Sequence, residues 1–265
     1  MSSEPLTQPE STEAAPPPPE AFAGLQGGLA VLGAAAFVAL AAAVWLLGNY
    51  GGAVADRMSG RLGDIETARA RAMEQGGLAE AAIEGYRKAL GMTFESRDQR
   101  KWAQRWLGEL LLRENRPEEA VDALRECVAE NPDYLPAHAF LCQALGAAMR
   151  PEETVQAAEA WAKTAEQAGN AGDQASAWWH AGQALEALDR PDDALAAYRR
   201  GHAAAPRGRN AYHAAKLLHN RGDSAGALRL LDEYTARNGV EMAEAARLLR
   251  AEIASAGESA GDAAQ

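Results

Sequence analysis

Strand-forming signals are scarce in this chain. Aromatic residues make up 6% of its 265 residues, β-branched runs are few, and no alternating apolar stretch is bounded by turn residues. A β-sheet therefore has little to be built from. Cysteine occurs twice, at Cys127 and Cys142. The pair forms neither a CxxC motif nor a metal-ligand cluster, which argues against a disulfide scaffold or a zinc module. A redox or single-bridge role is the alternative to plain packing, since unpaired cysteine commonly behaves as a small buried hydrophobe. Basic charge is also in deficit, with 26 Lys and Arg against 37 Asp and Glu and a formal net charge of −11. Nucleic acid needs a basic footprint and is a poor partner for such a chain. The acidic balance suits a non-sticky surface or a locally basic partner. Catalytic patterns are missing too: no Gly-rich phosphate loop, nucleophile elbow or paired-histidine motif appears. Among the five histidines, His213 and His219 are six apart and point to different helix faces. No catalytic residue, cofactor or metal site is assigned, and the chain is not read as an enzyme.

What the chain has is alanine, which accounts for much of its 48% apolar content. Alanine is the best helix former and has almost no side-chain entropy to lose, so the composition predicts an all-α protein. Residues 1–20 hold the proline run Pro16 to Pro19 and only negative charge, at Glu4, Glu10, Glu13 and Glu20. They read as a disordered acidic tail, with a proline-rich docking motif as the alternative. Residues 21–55 contain no charge, and the stretch Leu29 to Leu47 is densely apolar, including Phe37 and Trp45. As a helix it would span about 28 Å, close to the ~30 Å of a bilayer core. A single membrane anchor is the expectation, with Trp45 and Tyr50 toward one headgroup level. A cleaved signal peptide is the rival, because Ala53-Val54-Ala55 resembles a cleavage site. No Lys or Arg precedes the apolar run, however, and the run exceeds a usual signal core. Gly24/Gly28 and Ala35/Ala39/Ala43 have the small-xxx-small spacing that lets two anchors pack. Arg57, Arg61, Arg69 and Arg71 follow the run closely. The positive-inside rule then puts the body in the cytoplasm, where reduced cysteines belong, with an extracytoplasmic body as the alternative.

Beyond Asp56 the sequence repeats itself. Asn115-Arg116-Pro117-Glu118-Glu119-Ala120 returns as Met149-Arg150-Pro151-Glu152-Glu153-Thr154, 34 residues on, and as Asp189-Arg190-Pro191-Asp192-Asp193-Ala194 after a further 40. The longer interval fits a six-residue insertion at 169–174. Each motif opens a helix, with proline in the first turn and two acids at the positive end of the helix dipole.

Here the chain resembles the tetratricopeptide repeat family, whose unit is a 34-residue helix–turn–helix. In a unit from Lys101 to Tyr134, Leu107, Gly108 and Leu111 fall at first-helix family positions. Ala120, Leu124 and Cys127 follow in the second helix, and Pro132 closes the unit. From Ala175 to Gly208 the matches are Trp178, Gly182, Leu185, Ala194, Tyr198, Gly201 and Pro206. The unit from Leu135 to Ala168 carries His138, Leu141, Cys142, Leu145, Thr154, Ala158 and Trp161, but has Glu166 in place of the closing proline, so its second helix is expected to run on. Fainter units lie near Gly63 to Ser96, with Gly77, Ala82, Tyr86 and Ala89, and near Gly208 to Val240, with Gly222, Asp223, Ala227, Leu231 and Tyr234. The resemblance implies an α-solenoid of about five hairpins over residues 56–255. It closes with a capping helix from Val240 to Ser255, and residues 256–265 are expected to be a disordered tail. The small positions let helices approach closely, and stacking buries the apolar face each unit leaves open.

The resemblance also implies a groove lined by the first helices. Its candidates are Arg105, Trp106, Phe140, Trp179, His180, Tyr212 and His213, with Glu109, Gln143, Gln183 and Lys216 one turn further on. Rigid aromatic anchors of this kind dominate peptide binding; the plain alternative is that some of these rings are core. His180 and His213 could pair as a pH-sensitive element, against the plainer reading of structural histidines. Some family members grip a terminal carboxylate with Lys, Arg and Asn, whereas Glu109 and Phe140 stand here where asparagines would. The functional expectation is a membrane-anchored scaffold or co-chaperone for a protein or extended peptide. Its rivals are a structural subunit of an envelope or secretion assembly and a cleaved, extracytoplasmic repeat protein.

Overall fold

The computed structural model describes Trp45, residues 61–239 and residues 241–262. The expected tail at 1–20 and the apolar segment at 21–55, with Leu29, Phe37 and Leu47, lie outside the described residues except for Trp45, which is helical and exposed. Among the described residues no helix is long and apolar enough to cross a membrane.

Residues 61–262 fold as eleven helices. They are α1 (Leu62–Gln75), α2 (Ala79–Leu90), α3 (Arg97–Arg113), α4 (Pro117–Glu130), α5 (Leu135–Ala147), α6 (Pro151–Gln167), α7 (Ala171–Ala187), α8 (Pro191–Ala204), α9 (Asn210–Asn220), α10 (Ser224–Ala236) and α11 (Ala243–Asp262). Each helix packs on the next in the chain. The first ten pair as five hairpins and α11 covers the open face of the last, burying Ala246, Leu249 and Ile253. This is an all-α solenoid. The final helix runs past Ser255 to Asp262, longer than the expected cap. No proline follows Ser255 to stop it.

The hairpin turns share one conformation. Gly77, Asn115, Met149, Asp189 and Gly222 all have φ between 53° and 83°, the left-handed region. Two backbone bonds close each turn around that residue: Asn115 N–H reaches Leu112 O at 3.1 Å and Arg116 N–H reaches Leu111 O at 2.8 Å. This helix-ending motif satisfies carbonyls that would otherwise be orphaned. Proline then occupies the first turn of α4, α6 and α8. The arginine before it turns back on the acid three places ahead, at 2.6 Å for Arg116 with Glu119 and for Arg150 with Glu153. The same arginines reach the preceding unit, Arg116 to Glu80 at 3.0 Å and Arg150 to Glu118 at 3.1 Å. The Arg116 hydrogen bond is the main cause holding the Glu119 carboxyl down at about 2. These pairs are largely solvated and worth little energy each. They tie together the ends of successive hairpins.

Close approach within hairpins is set by glycine. A β-carbon on Gly108 would collide with the buried side chain of Leu124, and one on Gly182 with the ring of Tyr198. At Gly201 it would lie 2.5 Å from the Asn210 side chain, so the same device works between hairpins. Asn210 is buried and donates to Ala175 O at 2.9 Å, tying α9 to α7. Both cysteines are fully buried, and burial pushes each thiol up to about 12. They are packing residues in protonated form. Of the other expected packing positions, Leu107, Ala120, Leu141 and Ala194 are buried, Trp178 is half-buried beneath Arg200, Pro206 is half-buried and Pro132 is exposed. The expected insertion forms no separate loop. Gly169 makes a tight turn, α6 runs on to Gln167, and α7 begins at Ala171, so both helices reach 17 residues.

Three substitutions test these contacts by chemical denaturation. Gly108→Val is expected to cost about 1–3 kcal/mol by overpacking against Leu124. Gly146→Ala, where an added β-carbon meets nothing within 4 Å, is expected to gain up to about 1 kcal/mol through helix propensity. Met149→Gly relieves a left-handed φ of 56° at an exposed methionine, for a gain of roughly 1 kcal/mol.

Candidate functional site

The first helices of the hairpins, α1, α3, α5, α7 and α9, pack on one another in series, which gathers their remaining face along one side of the stack. The expected groove residues lie on this face, but they form two clusters instead of one ladder.

The first cluster centres on Trp106. Its ring is 6.5 Å from Tyr86 and 6.4 Å from Trp102, and Arg71 lies over it at 4.9 Å. Arg105 sits 5.7 Å from the Trp106 ring and 5.7 Å from Phe140, with Glu109 pairing to it at 2.8 Å. Cation and ring thus bridge α1, α3 and α5.

The second cluster is larger. Trp179 contacts His180 edge-on at 4.8 Å and His213 at 6.1 Å. His180 lies 5.9 Å from Trp161, and His213 stacks on Tyr198 at 5.2 Å and meets Tyr212 at 5.3 Å. The Arg209 guanidinium covers the Trp179 ring at 4.5 Å. Gln143, Gln183 and Lys216 are exposed around these rings. A cavity of about 470 Å³ opens here, lined by Trp161, Trp179, His180, Arg209, Asp173 and Ser176 with Ala139 and Gln143. A second, of about 500 Å³, lies across Gln143 and His180 and is mainly apolar, with Cys142, Gly146, Met149, Ala184 and Ala187 in its walls.

Burial first, then Arg209, lowers His180 to about 4. Burial first also lowers His213, against the opposing pull of Glu186. Both are neutral at pH 7. Among the described residues no group of His, Cys, Asp and Glu could hold a metal.

Trp102, Ser176 and Arg209, absent from the expected set, precede Trp106, His180 and His213 by four residues each. They occupy the preceding helical turn of the same face, so the 3.6-residue period carried a signal for them. Trp161 was expected as packing in α6. It is 2% exposed and also lines the cavity.

Residues 101–144 match the tetratricopeptide repeat family model. The fold is similar to the crystal structure of MamA, at 16% identity over 64% of this chain and 94% of that one, with a TM-score of 0.53. It is similar to MamA 41-end from Desulfovibrio magneticus RS-1, at 14% identity over 67% and 96% of the two chains with a TM-score of 0.53. Pseudomonas aeruginosa pilF gives 20% identity over 76% and 87% with a TM-score of 0.55. At such identities the likeness shows the fold alone. No curated protein matches the sequence. The family model and the solenoid fold agree with the tetratricopeptide resemblance that the repeats carry.

The buried histidines predict a pH dependence of stability. An unfolded His titrates near 6.5, whereas His180 does so near 4 in the folded chain. The unfolded state therefore takes up protons first, and the stability present above about 6.5 falls as pH drops toward 4. Thermal unfolding followed across that window should show a falling midpoint. His180→Phe should flatten the fall, with His213 leaving a remainder; equal slopes in the two chains would refute the assignment.

Proposed function

We propose that this tetratricopeptide-type array is a membrane-tethered, non-catalytic scaffold or co-chaperone that holds an extended peptide or a partner protein along the face of its first helices. The observation that carries the reading is the pair of cation–aromatic clusters, Arg71–Arg105–Trp106–Phe140 and Arg209–Trp179–His180–His213, each beside exposed amides or charges. Half-buried rings with polar neighbours offer large contact area at small entropic cost, which is what a peptide anchor needs. The tether rests on the uncharged segment 21–55, and the arginines beyond it favour a cytoplasmic body.

Partner recovery from native membranes after crosslinking tests both parts. Changing Trp106, Trp179 and Tyr212 together to alanine should abolish recovery while the chain stays folded and membrane-bound. Deleting residues 29–47 should release the chain to the soluble fraction without loss of peptide binding. A stoichiometric complex that survives the triple change but not the deletion would instead mark a structural subunit with an idle groove.

A further inference from the structure

The first helices α5 and α7 enclose, with the start of α6, a mainly apolar cavity of about 500 Å³. It exists because side chains that fill the corresponding space elsewhere are missing here. Gly146 and Ala147 stand where α3, 34 residues earlier, has Leu112 and Arg113. In α7 the place of Gly146 is taken by Glu186. A β-carbon on Gly146 would meet nothing within 4 Å. Ala184 and Ala187 line the α7 side with equally short side chains. Charge is removed along with volume, since Gln143 stands where α3 has Glu109. The guanidinium in the wall, Arg150, is already paired with Glu153 at 2.6 Å and Glu118 at 3.1 Å. The Thr154 hydroxyl is also engaged, donating to Arg150 O at 2.9 Å. Gln143 and Gln183, one from each facing helix, are exposed, and their amides have no partner among the described residues. Met149 lines the same space and is 87% exposed. It holds the left-handed turn position that Asn115, Asp189, Gly77 and Gly222 fill elsewhere. A long apolar side chain is a costly choice for that conformation.

We infer that this cavity receives a large aromatic side chain of the peptide held along the first helices, with uncharged residues on either side of it. The inference rests on the peptide-groove function above and narrows it to a peptide chemistry. Size favours a ring, because a dry cavity of about 150 Å³ already holds benzene. The space here admits an indole or phenol together with part of the adjoining chain. The thioether of Met149 makes favourable contacts with ring edges, which an aliphatic side chain does not offer it. A charged side chain is disfavoured, since it would lose hydration beside walls whose cation is already paired. The Gln143 and Gln183 amides each donate and accept, as the backbone groups flanking the ring require. The ring thus supplies apolar area below, and the amides meet the peptide chain above it.

A phage-displayed library of random twelve-residue peptides, selected on the full chain in phosphatidylcholine nanodiscs, tests this. Selected sequences should share one Phe, Tyr or Trp flanked by uncharged residues. In a synthetic, fluorescein-labelled selected peptide, replacing that aromatic residue by alanine should weaken binding about tenfold or more by anisotropy. Gly146→Leu restores the side chain that α3 carries at this place and fills the cavity. It should erase the difference between the aromatic and alanine peptides without lowering the thermal unfolding midpoint. Met149→Gly should shrink that difference. Peptides that depend on Trp106 and Tyr212 yet bind the Gly146→Leu chain equally well would overturn the aromatic subsite and leave the groove standing. A selected preference for an aliphatic or charged residue, lost on Gly146→Leu, would overturn the assigned chemistry. A selection that yields no binders would count against the groove itself and against this site with it.

Discussion

Helices in this array lie closer together than ordinary side chains allow, and most of its other features follow from that distance. Gly108 takes the Leu124 side chain against bare backbone and Gly182 takes the Tyr198 ring. Much of the core beside them is alanine, including Ala103, Ala120, Ala181, Ala194 and Ala214. Small residues bury little area each, so the packing depends on a few large side chains seated in glycine gaps. Tyr86 and Tyr198 make the point, since each is fully buried and each hydroxyl donates to a glutamate twelve residues earlier, Glu74 and Glu186. Ring and hydroxyl together fix the angle between the two helices of a hairpin.

That geometry also decides where a ligand could act. Hairpins stacked at fixed spacing place equivalent residues of successive first helices side by side, so one ring per helix becomes a row. The row divides because α5 offers Phe140 and Gln143 where its neighbours offer Trp106 or the Trp179–His180 pair. The added turn on α7 brings Asp173 and Ser176 to the cavity wall.

Much of this was legible in the sequence because the signals are local and recur. The Arg-Pro-acid-acid motif marks the start of a second helix three times, and the small–large–small spacing places Ala120, Leu124 and Cys127 in the core with no knowledge of partners. The turn residues were harder. Met149 occupies a left-handed position that glycine fills at Gly77 and Gly222, and nothing about methionine announces it; the repeat register does. The cavity was legible only in part. Trp179 and His180 follow from helix phase, but Trp161 belongs to a second helix whose pattern reads as core, and it meets Trp179 only through tertiary packing. Arg209 lies just before α9, where the repeat is faint and helix phase is hardest to set.

The two clusters balance their charges in the same way. Around Trp106 the charges are matched, since Arg105 has Glu109 and Arg71 has Glu74 at 2.9 Å. Such a surface offers ring area, and Arg105 Nε is buried there without a hydrogen-bond partner. Around Trp179 the cation is matched as well, since Arg209 has Glu241 at 3.0 Å, and the indole N–H groups of Trp161 and Trp179 are buried without an acceptor. A folded chain that optimised stability alone would have placed an acceptor there, because buried donors without one weaken the native state. The unpaired donors cost stability in the folded chain.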